Sequence, residues 1–342
     1  MGLEKSKGAI TINDVARLAG VSKRTVSRVI NHSATVNAET RAKIQAIIDQ
    51  YDYAPSKQAR GLASSRSYLV GMLSDDPNSI VIHSIQRGAI SALSPIGYEL
   101  VVHPLNHLAK DIVDNVLKFV ARSNLDGLLI LPPISMNTEL LQALKANDIK
   151  FVALTAREVD DIAYCVVSSD RIAMQQVAEC WDKTGVRRPG FIKGPLNRLS
   201  TKERYEGLVE ALTQKNLSIA QEDIAVGDFS YKSGIDAAKT LLDRTDRPDA
   251  IFACNDQMAI ATVHVAQDLG INIPDELQVI GYDDEPMAGI LRPSLTTLRR
   301  SNTDMARAAG LKIVALINEE VSDAESYFLP QLIQRDSTRK PN

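Results

Sequence analysis

Lys23, Arg24, Thr25 and Ser27 cluster just after Ser22, which itself follows Ala19-Gly20-Val21. Arginine and lysine so placed can bridge O6 and N7 of guanine, and serine and threonine hydroxyls can reach a phosphate or a base edge. A second set of polar residues follows short apolar runs. Asp75 and Asp76 come after 68–73, Ser200 and Arg204 after Gly194-Pro195-Leu196, Asn255 and Asp256 after 250–253, and Asp283 and Asp284 after 278–280. Arg, Asn and Asp together offer the paired donors and acceptors that a sugar needs. Adjacent carboxylates could also do acid–base chemistry. That reading needs a partner acid or nucleophile, and none is named. G-x-S-x-G, Walker A and G-x-G-x-x-G patterns are missing, so we do not expect an enzyme. His32, His83, His103, His107 and His264 show no metal-ligand spacing, and Cys165, Cys180 and Cys254 form no C-x-x-C pair. Neither a metal nor a cofactor is expected, and the thiols read as buried and inert in a reducing compartment.

The first set requires a helix, a tight turn and a second helix. Thr11 can cap the first helix, with Asp14 at its N3 position. Val15, Ala16 and Leu18 supply its apolar face, and Gly20 supplies the positive φ of the turn. Ser22 then caps a second helix that points Val26 and Val29 inward and leaves Lys23, Arg24, Thr25 and Ser27 near its start. A third helix begins at Asn37, with Ile44, Ile47 and Ile48 on its inner stripe. This is the geometry of a recognition helix in a major groove. Charge agrees: residues 1–66 hold eleven Lys/Arg against five Asp/Glu, whereas the whole chain carries −3. A basic segment on an acidic body suits a polyanion-binding module. The competing reading is a helical hairpin that binds protein.

From residue 68 onward short apolar strands alternate with helices, which predicts parallel sheets covered on both faces. So many strands fit two doubly wound subdomains better than one sheet. Ligands of such sheets sit at the carboxyl ends of the strands, where the second polar set lies. Residues 52–67 read as a linker. The N-terminus is polar, and no run approaches the roughly 18 apolar residues of a membrane span. We therefore expect no signal peptide, no membrane span and a cytoplasmic (nucleoid-associated) protein.

Several stretches together resemble the lactose-repressor (LacI/GalR) family of bacterial transcription regulators. They are TINDVARLAGVSKRTVSRVIN at 11–31, YAPSKQARGLAS in the linker, GPL at 194–196, Ser200–Gly207, ACNDQMAI at 253–260 and VIGYDDEPMAGILRPSLTTL at 279–298. The resemblance covers nearly the whole chain. It implies a small all-α helix-turn-helix headpiece (1–52), a hinge helix or linker (53–67) and a periplasmic-binding-protein-like α/β core (68–342). The core would divide into an N-subdomain of about 68–162 and 299–323 and a C-subdomain of about 163–298 and 324–342. DNA contacts would come from Thr11, Ser22, Lys23, Arg24, Thr25, Ser27, Arg28 and Asn31. The hinge would add Ser56, where the family usually has Asn, and Ala59, Leu62 and Ala63, with Leu62 wedged into the minor groove and bending the DNA. Effector contacts would come from Arg204, Asn255 and Asp283, then Ser200, with Asp75, Asp76 and Arg300 as further candidates. Arg204 could instead be a structural salt bridge, and Asn255 and Asp283 could simply cap helices. Asp256 and Asp284 read as structural supports. Thr155 stands where some members use an acidic contact. Arg300 stands where some have Gln, a cation that could suit an acidic effector. The implied function is a repressor binding a palindromic operator as a homodimer, controlled allosterically by a sugar or sugar derivative. The polar tail 331–342 lacks the heptads of tetrameric members. The alternative is a transport-type sugar-binding protein, which would leave the headpiece unexplained.

Overall fold

Thr11 starts the first helix, Ile12–Ala19, by closing a capping box. Its hydroxyl oxygen accepts from the Asp14 N–H at 3.4 Å, and the Asp14 carboxylate accepts from the Thr11 N–H at 3.1 Å. The helix ends on Gly20 at φ 68°, a left-handed conformation that costs glycine no steric clash. Ser22 caps the second helix, Lys23–Ile30, and Asn37 caps the third, Ala38–Tyr51. Val15, Ala16, Ala19, Val26, Val29 and Ile44 are buried between them, with Ile47 and Ile48 half-buried alongside. Leu18, expected on the inner face, is 42% exposed. It lies about a third of a turn off the stripe that Ile12, Val15, Ala16 and Ala19 form. Tyr53, read as the start of the linker, instead packs into this core. Replacing Thr11 with alanine is expected to cost the headpiece about 1 kcal/mol. Hydrogen exchange in the full chain would read this as faster exchange of the amides of Ile12–Ala19, with core amides unchanged.

The computed structural model describes residues 10–30, 35–51, 53, 66–75, 79–157 and 161–340. Two units are distinct, 1–68 and 69–342. The second contains two six-stranded sheets. The first sheet is wholly parallel, in the order β2 (Glu99–Pro104), β1 (Leu69–Ser74), β3 (Gly127–Ile130), β4 (Phe151–Thr155), β5 (Cys165–Ser168) and β11 (Tyr327–Phe328). The second sheet repeats this winding: β7 (Ile224–Val226), β6 (Pro189–Lys193), β8 (Ala250–Ala253), β9 (Gln278–Tyr282), β10 (Thr296–Arg299) and an antiparallel β12 (Gln331–Ile333). The central strands β3, β4, β8 and β9 are buried at every position, which is why their sequences are near-continuous apolar runs. Trp181 is fully buried in the second core, as a packing residue should be. All three cysteines are buried and in no disulfide among the described residues, and burial pushes the Cys254 thiol up to about 11. No helix among the described residues is long and apolar enough to cross a membrane.

The chain passes between the sheets three times: after β5, after β10 and between β11 and β12. The first passage follows Ser168, later than the expected break at 162/163, and the last follows Phe328, later than 323/324. The reason is that Cys165–Ser168 and Tyr327–Phe328 pair with each other and extend the edge of the first sheet. After the second passage, helix Asn302–Ile317 returns to pack on helix Ser79–Leu93. Gly88 permits that approach, because a β-carbon there would meet the Thr303 carbonyl.

Candidate functional site

In the headpiece the second helix presents its cations outward. Lys23, Arg24 and Arg28 are exposed, Thr25 and Ser27 are half-buried, and no acidic residue occupies the first turn. The Ser22 hydroxyl accepts from the Thr25 N–H at 3.1 Å and lies 2.9 Å from the Thr25 hydroxyl. The Thr11 hydroxyl donates to Asp14 at 2.6 Å. Ser22, Thr25 and Thr11 therefore build the helix starts, whereas Lys23, Arg24 and Arg28 make no ion pair among the described residues. Asn31 and the hinge positions Ser56, Ala59, Leu62 and Ala63 lie outside the described residues.

Between the two sheets of the core lie two contiguous cavities of about 100 and 60 Å³, which share Val81, Ser200, Phe229 and Arg300. They open at the carboxyl ends of β4, β6, β8 and β9, as doubly wound sheets require. Ser200 sits in the first turn of helix Leu199–Thr213 and lines both cavities. Arg204, one turn on, lines the smaller one but is committed to the protein. Its Nε donates to Asp170 at 2.9 Å, another guanidinium nitrogen donates to the Cys254 carbonyl, and the guanidinium carbon lies 3.4 Å from the centre of the Tyr282 ring. The structural alternative for Arg204 is thus realised at the cavity wall. Asn255 is likewise taken. Its Oδ1 accepts from the Met258 N–H at 3.0 Å and its Nδ2 donates to the Phe229 carbonyl at 2.8 Å. It caps helix Asp256–Asp268 instead of offering a free amide to the cleft. Asp283 lines the smaller cavity at φ 110°, its N–H bound to the Leu298 carbonyl at 2.8 Å. Arg300 lines both cavities, and its buried Nε has no hydrogen-bond partner among the described residues.

Asp75 does not line either cavity. Its carboxylate accepts from the His107 N–H at 2.7 Å and faces the His107 Nδ1 at 2.5 Å. Burial alone would raise this carboxyl, but the hydrogen bonds from His107 outweigh it and hold the group below its ordinary value. His107 Nε2 lies 3.5 Å from Asn197, and Arg198 donates to the Asp75 carbonyl at 3.3 Å, so this cluster ties the two subdomains at the cleft rim. Asp76 lies outside the described residues. Thr155 is buried, and its hydroxyl is 3.5 Å from the Met136 sulfur.

Asp284 is structural, paired with Arg299 and Arg335 at 2.6 Å each. Asp256 accepts from the Thr297 hydroxyl at 2.6 Å and the Glu285 N–H at 2.7 Å. Its burial drives the carboxyl well above the ordinary carboxylate range, against the pull of the Thr297 hydrogen bond. A raised folded-state value contributes stability that is full below the unfolded value of about 4 and is lost as pH rises through the folded value. An asparagine at this position can donate to the Thr297 oxygen and accept from the Glu285 N–H. Asp256→Asn should therefore melt at or above wild type at about pH 8, with a flatter pH profile. Asp256→Ala should melt lower at every pH. Thermal melts across acid to mildly alkaline buffers decide this.

The residues missed from sequence are Arg198, Asp228 and Phe229, and the apolar wall that includes Val81, Ile85 and Met136. Asp228 and Phe229 follow the short strand β7, whose three residues are too few to stand out as a run. Had that strand been read, the carboxyl-end rule would have found them.

Comparison with known proteins bears on the whole chain. Residues 11–56 match the model of bacterial regulatory proteins of the lacI family, and residues 177–338 match the periplasmic binding protein-like domain. Catabolite control protein A of Priestia megaterium is 30% identical over 333 residues, covering 96% of this chain and 99% of that protein. The chain belongs to the lacI family of bacterial regulatory proteins. Among solved structures, the transcriptional regulator CelR in complex with cellobiose is 27% identical with a TM-score of 0.71, covering 96% of this chain and 99% of that one. The Lac repressor dimer bound to operator and an anti-inducer is 24% identical with a TM-score of 0.77, covering 97% and 99%, and shows the shared fold. This lacI-family member is a DNA-binding transcription regulator with a helix-turn-helix and a two-sheet α/β core. A transport-type solute-binding protein is not favoured, because residues 11–56 would have no role.

Proposed function

We propose that this regulator is a repressor that binds a near-palindromic operator as a homodimer and is released or retained by a small ligand in the cleft. The observation that carries the reading is the second helix, capped and turned by Gly20 and Ser22 so that Lys23, Arg24 and Arg28 face outward. Lys23 and Arg24 read guanine edges. Arg28, Thr11, Ser22, Thr25 and Ser27 hold phosphates or base edges at the same surface, and Asn31 is a further DNA contact. Ser56, Ala59, Leu62 and Ala63 form the hinge, with Leu62 as the minor-groove wedge. One relative is solved with cellobiose and another on operator DNA, which supports a sugar or sugar derivative as effector and a dimer on DNA. The protein works without catalysis, in the cytoplasm.

The passages between the sheets make the cleft a lever. Arg300 lies on the segment joining β10 to helix Asn302–Ile317, and Asp170, the partner of Arg204, begins the helix that follows β5. A ligand touching Arg300 therefore loads the joint between the subdomains directly. It changes operator affinity only as far as it binds the two subdomain arrangements unequally. Fluorescence anisotropy of a labelled operator, selected from random DNA, tests this. Specific binding with two protomers per site is expected, shifted by a cleft ligand. Equal affinity for all sequences would refute the reading.

A further inference from the structure

The two walls of the cleft differ in chemistry. The first-subdomain wall presents Val81, Ile85, Leu131, Met136 and Leu154. Its Thr155 hydroxyl already faces the Met136 sulfur. Ligand hydroxyls pressed against this wall would lose water without gaining partners. The second-subdomain side carries the cations. Arg204 is neutralised by Asp170, but Arg198 and Arg300 line the larger cavity with no carboxylate in ion-pair range among the described residues. Asp228, the carboxylate on this cavity, is turned into its own loop, where it accepts from the Ser230 N–H at 2.9 Å. The Nε of Arg300 is buried and has no acceptor among the described residues. A buried guanidinium N–H left unpaired is costly, and an oxyanion offering two oxygens, a carboxylate or a phosphate, is the group that matches its fork. The helix Leu199–Thr213 begins at this cavity with Arg198 as its cap residue. It has neither a side-chain cap nor an acidic residue in its first turn, so its N–H groups add to the same positive pole.

We infer that the effector of this regulator is an acid, a carboxylate or phosphate ester, whose oxyanion is held by Arg300 and Arg198 while its less polar face rests on Val81, Ile85 and Met136. The inference rests on the cleft being the effector site. A neutral sugar hydroxyl could accept a hydrogen bond from Arg300 but would leave its charge without a counter-ion. The oxyanion also fixes where the ligand pulls, because Arg300 belongs to the segment that joins the subdomains.

The test uses the full-length protein, with melting temperature and calorimetric titration as readouts. Matched pairs are compared: glucose with glucuronate, galactose with galacturonate, and glucose with glucose 6-phosphate. Inorganic phosphate against chloride at equal ionic strength is the minimal probe. The acid member of at least one pair should bind at least about tenfold more tightly than its neutral partner. Phosphate should raise the melting temperature of wild type more than that of Arg300→Gln. Arg300→Lys should keep part of the response, which separates charge from folding. Neutral members binding as well as acids, or a phosphate response equal in wild type and Arg300→Gln, overturns the inference. If neutral sugars bind and shift operator affinity, the regulator reading stands and only the anion assignment falls. If an acid binds with no effect on operator affinity, the assignment stands and the allosteric reading falls.

Discussion

Arg204→Ala is expected to destabilise the core by about 3–5 kcal/mol, lowering its melting temperature on the order of 10 °C. Arg204 is 3% exposed and Asp170 is fully buried. Removing the guanidinium leaves the Asp170 carboxylate in the interior with the hydroxyls of Tyr282, at 2.7 Å, and Ser168 as its remaining partners. It also removes the stacking on Tyr282 and the donor to the Cys254 carbonyl. Burial would raise the Asp170 carboxyl, but the neighbouring Arg204 and Arg300 outweigh it and hold the group below its ordinary value. A lowered folded-state value gives stability that is present above the unfolded value of about 3.9 and is lost as pH falls through the folded one. Without Arg204 only Arg300 and the Ser168 and Tyr282 hydroxyls oppose burial, so the carboxyl is expected to rise. The penalty of the variant should therefore be greatest near neutral pH and shrink in acid. Adding Asp170→Asn should recover part of the loss, because the stranded charge is gone. Thermal melts of the two single variants and the double variant at two pH values measure this. A variant as stable as wild type at neutral pH would show that the pair is dispensable. The same reasoning disqualifies Arg204→Ala as a clean probe of ligand binding, and Arg300 serves better.

Neutralising the recognition helix should have the largest effect on DNA. Replacing Lys23 and Arg24 together with alanine is expected to cost about 2–6 kcal/mol of specific operator binding per half-site, since a good bidentate base contact discriminates by about 1–3 kcal/mol. Both side chains are exposed, and no ion pair among the described residues holds them, so the fold should not notice. The salt slope should fall by at most about two per half-site, and base preference at two positions per half-site should relax. Anisotropy titrations at several salt concentrations on operator and on scrambled DNA separate the outcomes. Equal losses on both DNAs would make the two side chains phosphate contacts, with Arg28 or the hinge left to read sequence.

Much of the headpiece was legible because its signals are local. The Thr11–Asp14 box, the Gly20 turn and the Ser22 and Asn37 caps each close within a few residues, and a side chain so near its partner has few other choices. Leu18 was misread because neighbouring apolar residues do not share a helix face. The winding of the core was legible from buried runs such as β8 and β9, whereas the short strands β5, β7 and β11 carried too little pattern to be placed.

The cleft divides differently. Sequence by itself determined which strand ends line the cleft, because parallel winding places the carboxyl ends of the parallel strands on the same side. Only the tertiary structure decided which polar residues remain available there. Asp75 is claimed by His107, 32 positions away, Arg204 by Asp170, 34 away, and Asn255 by the Phe229 carbonyl, 26 away. Each of those groups can satisfy a hydrogen bond with protein or with ligand. The choice depends on partners that folding brings within 3 Å, a distance that no local pattern along the chain encodes.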